Sequence, residues 1–221
     1  MAAPSLFGGR KLFSRPHPFS EKTMIRFATL GPGGTNHELV TQRYIDFHKL
    51  KKAEVVPVAD FKHAVEMLKN GQVDYLVQCA VHPETPNTLG HNFQKIYVVD
   101  TFISPSKDLA VLTRKDVAHP KTIGAIMPAT EGYADLSPWE IKVPMYSIPL
   151  IVDKMLAGEL DSGLVYLDYV ERYPDNFRIE QVIGSPDDAW LVYGLHRTYK
   201  DSVQAWPDSP IAQQLRALEQ Q

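Results

Sequence analysis

The sequence predicts a two-lobed α/β protein with a ligand cleft between the lobes. Three observations carry that expectation. From residue 26 to residue 81, short apolar runs alternate with amphipathic stretches in the rhythm strand-helix-strand-helix-strand. The rhythm starts again at residue 108, with no repeat of the sequence itself. A last apolar run at 189–196 comes after both units and suits a return to the first. The expected organisation is an N-terminal tail over 1–23, a first lobe over 24–103 and a second over 104–184. Residues 185–221 then return to the first lobe and end in a helix.

Each element has its own signal. Residues 26–31 read as a short buried strand, and 35–49 as a helix with Leu39, Val40 and Tyr44 on one side. "AEVVPVA" (53–59) is the next strand. In "DFKHAVEMLKNG", Asp60 is an N-cap, Phe61, Val65 and Leu68 form the buried stripe, and Gly71 stops the helix. "VDYLVQCAV" (73–81) is an apolar run too short for a helix of its own, hence a buried parallel strand. In the second unit, 108–114, 121–127 and 141–146 are strands. "SIPLIVDKMLAGEL" is a helix with Ser147 as cap, Pro149 in its first turn and Gly158 near its end. Residues 162–167 and 189–196 are strands, and "SPIAQQLRALEQQ" closes the chain as an amphipathic helix.

Of the 221 residues, 44% are hydrophobic and 22% charged, the balance of a chain that buries a core. A formal net charge of −3 and the lack of a basic run argue against a nucleic-acid partner. No apolar segment reaches the length of a membrane span. The lone Cys79 forbids an internal disulfide and, inside an apolar run, reads as a buried thiol rather than a nucleophile. The eight histidines show no metal-ligand spacing, so no metal is expected. The first 23 residues are basic and carry no acid before Glu21, as in an organellar transit peptide or a tail that packs on a partner through Phe7 and Phe13. The expected location is the cytoplasm, or an organelle if that stretch is a transit peptide. A homodimer is compatible with both.

The stretch "TLGPGGTNHE" asks for a function. Its Gly-X-Gly start suggests a nucleotide loop, and the spacing rejects it: Asn36 stands where a dinucleotide fingerprint needs glycine or alanine, and no lysine precedes the threonine. What remains is a strand-to-helix corner. Gly33, Gly34, Thr35 and Asn36 place backbone N–H groups at a helix N-terminus, a setting that suits a carboxylate or a phosphate. A plain turn capped by Thr35 or Asn36 explains the same residues without a ligand.

"TLGPGGT" followed by a helix resembles the "LGPxGT" opening of the prephenate dehydratase family. Later landmarks come in the family's order: "GQVDYLVQCAV", "DLAVLTR" at the crossing to the second lobe, "IGAIMPAT" with Pro128, "LDSGLVYLDYVERY", and "DDAWLVYG" as the returning strand. The resemblance spans residues 25–196. It implies a periplasmic-binding-protein-like (type 2) fold holding prephenate between its lobes. Two family signatures are missing. Asp188, Ala189 and Trp190 stand where dehydratases carry Thr-Arg-Phe, and Val81, His82 and Pro83 where they carry Glu-Asn-Ser. Ala189-Trp190-Leu191 is closer to the strand of the prephenate decarboxylases of antibiotic pathways, which release carbon dioxide without aromatising the ring. That branch implies a cofactor-free lyase on prephenate or a similar small cyclic dicarboxylate. The rival is a small-carboxylate binding or sensor protein that has lost its chemistry.

The candidate site follows from these positions. His82, ending a buried strand, titrates near neutrality and is a candidate proton donor, or else an ordinary loop histidine. Asp188, at the family's threonine position, donates a proton if desolvation raises its pKa; a solvated turn with Asp187 is the alternative. Trp190 is either core or a wall of the pocket. Thr130, in a second strand-to-helix corner over 128–131, is placed for a second carboxylate, with Glu131 opposing it. Lys107 and Arg114 flank the crossover, and Tyr166, Tyr169 and Tyr173 read as packing. The expected binding set is Gly33, Gly34, Thr35, Asn36, Thr130 and Trp190, with His82 and Asp188 as catalytic groups.

Overall fold

A computed structural model describes residues 24–199 and 203–219. The tail expected over 1–23 lies outside them. The first sheet gathers β1 (Ile25–Leu30), β2 (Ala53–Val58), β3 (Tyr75–Cys79), β4 (Tyr97–Pro105) and β10 (Asp187–Gly194), in the order β2-β1-β3-β10-β4. The second holds β5 (Leu109–Arg114), β6 (Thr122–Ala125), β7 (Ile141–Pro144), β8 (Ser162–Tyr166) and β9 (Phe177–Gly184), in the order β7-β6-β8-β5-β9. Both sheets share one plan. Three parallel strands meet a fourth that runs antiparallel and comes from the crossing between lobes, β10 in one and β5 in the other.

Helices α1 (Asn36–Phe47), α2 (Phe61–Lys69) and α3 (Thr85–Gly90) belong to the first lobe, and α4 (Ile148–Leu156) and α5 (Tyr169–Arg172) to the second. α2 forms as its sequence dictates: the Asp60 carboxylate accepts from His63 N–H, and Phe61, Val65 and Leu68 are buried. α1 buries Val40, Thr41 and Ile45 instead of the Leu39, Val40 and Tyr44 side. Thr41 goes inward because its hydroxyl donates to His37 O at 2.7 Å, which satisfies the polar group within the helix. The closing helix α6 (Pro210–Leu218) is capped by Ser209 and buries none of its residues.

β3 is buried on both faces, which explains its mostly apolar sequence, interrupted by the fully buried Gln78. One face packs Leu76 with Phe61, Leu68 and Tyr193; the other packs Val77 and Cys79 with Phe27 and Trp190. A third core, around Leu112, Ile123, Ile151 and Leu164, fills the second lobe.

Three expectations are corrected. β4 and β9 are strands that no pattern announced, because both lie at sheet edges and leave Asp100, Thr101, Glu180 and Gln181 in solvent. Asp187 and Asp188 form the start of β10, not a turn. The helix expected to open at 128–131 is a one-turn 3-10 helix, Glu131–Tyr133.

Candidate functional site

The carboxyl ends of β1, β3, β6 and β8 converge on a cleft between the lobes, where open α/β sheets collect their ligands. Asn36, His37 and His82 face it from the first lobe, and Ile126, Tyr133 and Tyr166 from the second. Ser106 and Asp188, on the two crossing segments, lie at its base. The cleft is narrow, about 80 Å³. Pockets for drug-sized ligands run to roughly 300–1,000 Å³, so a ligand of that size needs the lobes to part.

Asn36 ties the cleft together. Its backbone N–H donates to the Tyr166 hydroxyl at 2.8 Å, bridging first lobe to second. Its Oδ1 accepts from Lys107 N–H at 3.1 Å, and its Nδ2 donates to Ser106 Oγ at 2.7 Å. The backbone N–H of Lys107 is only a donor, so it fixes which way the Asn36 amide points. Ser106 Oγ therefore accepts from Asn36 and sends its own hydrogen to Asp188 Oδ2, in a short bond. Ser106 is held in turn by Ser185, whose hydroxyl donates to Ser106 O at 2.6 Å.

Asp188 is 7% exposed. Burial raises its pKa above the usual carboxylate range, the Ser106 bond opposes the rise, and Asp187 adds to it. Among the described residues its Oδ1 accepts no hydrogen bond. Its field reaches the Cys79 thiol, which burial and Asp188 together push up to about 12, and the Tyr133 hydroxyl, raised mainly by burial. Cys79 is thus a buried, inert thiol.

Both histidines are neutral for a structural reason. His37 is part-exposed as a residue, but its ring is enclosed by Trp190 at 5.0 Å, Phe61 at 5.5 Å and His82 at 5.6 Å. Its Nε2 accepts from Cys79 N–H at 3.4 Å, and burial, then His82, lower its pKa to about 3. His82 Nδ1 accepts from Glu84 N–H at 3.1 Å, and burial lowers its pKa as well.

The predicted corner holds a different arrangement from the one its sequence suggested. Gly33 and Gly34 are exposed and away from the cleft. The Gly34 N–H donates to Glu38 Oε2 at 2.5 Å, and Thr35 Oγ1 accepts from Glu38 N–H at 3.3 Å and donates to Leu30 O at 3.0 Å. The helix terminus is filled by the chain's own carboxylate, a variant of the capping box. The expectation of free amides at Gly33–Asn36 is corrected on that ground: of the four, Asn36 faces the cleft, and chiefly through its side chain.

Thr130 lines the cleft, but its hydroxyl closes a local loop with Ile126 N and Ile126 O, both at 3.1 Å. Trp190 is fully buried behind His37, in the core and not on the cleft wall. Lys107 Nζ turns outward to Asp168 at 2.9 Å, and Arg114 pairs with Asp116. The lining includes no lysine or arginine. Among the described residues, no group of three or more His, Cys, Asp or Glu is placed to hold a metal ion. Tyr166 packs in the second lobe's core, stacked on Tyr169, as its spacing suggested, and its hydroxyl also bridges the lobes. Ser106 and His37 carried no signal of their own. Thr35-x-x-Glu38 did: that spacing is the capping-box signature.

No protein-family model matches the chain, and a search of curated proteins finds no sequence relative. Solved structures do resemble it. A prephenate dehydratase of Arthrobacter aurescens, solved in complex with L-Phe, superposes with a TM-score of 0.58 at 15% identity, over 81% of this chain and 63% of that one. The VFT2 periplasmic domain of BvgS from Bordetella pertussis gives 0.51 at 10% identity, over 79% and 81%. An ABC transporter from Parabacteroides distasonis gives 0.50 at 16%, over 78% and 66%. The fold is periplasmic-binding-like. At these identities the likeness speaks for the two-lobed fold alone. The chain spans less than two thirds of the dehydratase's length.

Proposed function

We propose that this protein captures a small organic metabolite between its two lobes. The observation behind this reading is the Lys107–Asn36–Ser106–Asp188 chain of hydrogen bonds, closed onto the second lobe by Tyr166. It sets one buried acid at the base of a mostly apolar cleft, in a fold shared with periplasmic binding domains. Such a cleft positions a ligand by one polar contact and covers the rest with apolar side chains. Calorimetry against prephenate, aromatic amino acids, aryl keto acids and simple amines tests the reading, with small-angle scattering to follow closure. Saturable binding with a smaller radius of gyration is expected. Silence across the whole panel removes it.

A second reading is a cofactor-free lyase on prephenate or a similar cyclic dicarboxylate, and Asp188 favours it. A carboxyl whose pKa burial raises is better suited to donate a proton, and it sits on the strand where the dehydratase resemblance places the acting threonine. The ring carboxylate would leave as carbon dioxide, its electron pair entering the ring diene. A ring carbon would take the proton of Asp188, which water then restores. The apolar wall favours loss of a localised charge. Two carboxylates, however, meet no cation in this cleft, which is why binding is the first reading. Loss of the prephenate chromophore with release of carbon dioxide, abolished in Asp188→Asn, is the expected result; unchanged prephenate excludes the lyase.

A further inference from the structure

The ligand-binding reading leaves the chemical class of the ligand open, and the charges of the cleft narrow it. Asp188 is the acid at the base of the cleft, and the groups around it are Ser106, Asp187, Cys79, Tyr133 and Tyr166. None is a cation. Lys107 directly follows Ser106, but its Nζ is bonded to Asp168 at 2.9 Å, turned toward Gly34 O at 3.5 Å, and lies 4.6 Å from the centre of the Tyr166 ring.

The two histidines cannot fill that role without losing structure. Each ring offers its acceptor nitrogen to a backbone N–H, His37 to Cys79 and His82 to Glu84. Protonating either nitrogen breaks its bond and leaves a backbone donor unsatisfied. The wiring around Asp188 is equally directional. Asn36 donates to Ser106 Oγ and Ser106 alone donates to Asp188 Oδ2, while Oδ1 has no partner among the described residues. A largely buried carboxyl with one oxygen open, and no lysine or arginine among the described residues that line the cleft, suits a positive group from outside. The surrounding wall is apolar, with Val81, Leu109, Ile126 and Ile148 facing the same space.

We infer that the cleft takes a small organic cation, a primary amine on an apolar body, with Asp188 as its counter-ion. The inference rests on the ligand-binding reading and runs against the dicarboxylate that the resemblance implies. An ammonium reaches Oδ1 with one hydrogen, and the apolar body displaces water from the wall. A carboxylate in the same place faces Asp188 with nothing to neutralise either charge.

The test uses the full chain at pH 7.5 and matched ligands with one apolar body and opposite charge. Isobutylamine is set against isovalerate, and 2-phenylethylamine against 3-phenylpropionate, by calorimetry. At least one amine is expected to bind roughly 30-fold or more tightly than its carboxylate, and Asp188→Asn to remove that preference. Circular dichroism checks that the variant is folded; if it is not, the ratio in the unaltered protein decides alone. Preference for the carboxylate overturns the inference while sparing the ligand-binding reading. So does amine binding that Asp188→Asn leaves unchanged. No binding by either pair also overturns it, and the wider panel of metabolites then judges the ligand-binding reading separately.

Discussion

Trp190 offers the most quantitative test of the packing behind the cleft. Its indole is fully buried between His37, at 5.0 Å edge-on, and Phe102, at 6.4 Å and near parallel, and its Nε1 has no hydrogen-bond partner among the described residues. Trp190→Phe removes an unsatisfied buried donor, which recovers about 1–3 kcal/mol. The smaller ring leaves a gap on the order of 40 Å³, which at about 24 cal/mol per Å³ costs about 1 kcal/mol. The expected balance runs from no change to about 2 kcal/mol of added stability. Trp190→Ala has no such offset, since truncation there costs about 3–5 kcal/mol. Urea denaturation with a shared m-value measures both variants, and thermal melts should move by about 2–4 °C per kcal/mol. If the phenylalanine variant loses more than about 2 kcal/mol, the argument fails. The indole N–H would then have a partner, or the ring would serve something other than the core.

Other outcomes follow from single contacts. Asn36→Ala removes two side-chain hydrogen bonds that join α1 to the crossover, and should cost about 1–3 kcal/mol in urea denaturation. A Cβ on Gly163 would meet Ile151 Cγ2 at 2.5 Å and Met155 Sδ at 2.8 Å, so Gly163→Ala should lose about 1–3 kcal/mol by overpacking, read as a lower melting temperature. Asp188 has a folded pKa raised above its ordinary 3.8, so it binds its proton more tightly folded than unfolded. Its stabilising effect is therefore complete below pH 3.8 and disappears as pH rises toward the folded value. Asp188→Asn should melt higher than the unaltered protein at neutral pH, and the difference should close in acid. His37 has the opposite sign: its pKa falls from 6.5 to about 3, so stability present above pH 6.5 is lost between those values, and His37→Gln should flatten that acid slope.

Local signals were legible where one face of one element decides the structure. Asp60, Phe61, Val65 and Leu68 announce α2 because capping and stripe agree, and 73–81 reads as a strand because both its faces are buried. β4 and β9 stayed hidden because an edge strand mixes polar and apolar residues without strict alternation. The cleft was only partly legible. Asp188 came from resemblance, since nothing in its own neighbourhood marks it as buried. Asn36 was noticed for its backbone, yet its side chain reaches Ser106, 70 positions away, while its N–H meets Tyr166, 130 away. Contacts of that range leave no trace in spacing. The misreading of Gly34 was avoidable, because Glu38 stands at the offset from which a carboxylate reaches back to the helix start.

β10 has a consequence for how the molecule is made. It fills the place between β3 and β4, yet it follows the entire second sheet in the chain. A ribosome adding roughly 5–20 residues per second releases residues 109–184 before the strand that completes the first sheet. The second sheet, drawn from contiguous sequence, is free to form early. Meanwhile β3 and β4 wait with open edges, the condition in which nascent chains recruit foreign strands. A product terminated ahead of residue 187 keeps that gap for good, and a synthetic peptide copying 187–194 becomes its natural complement in trans.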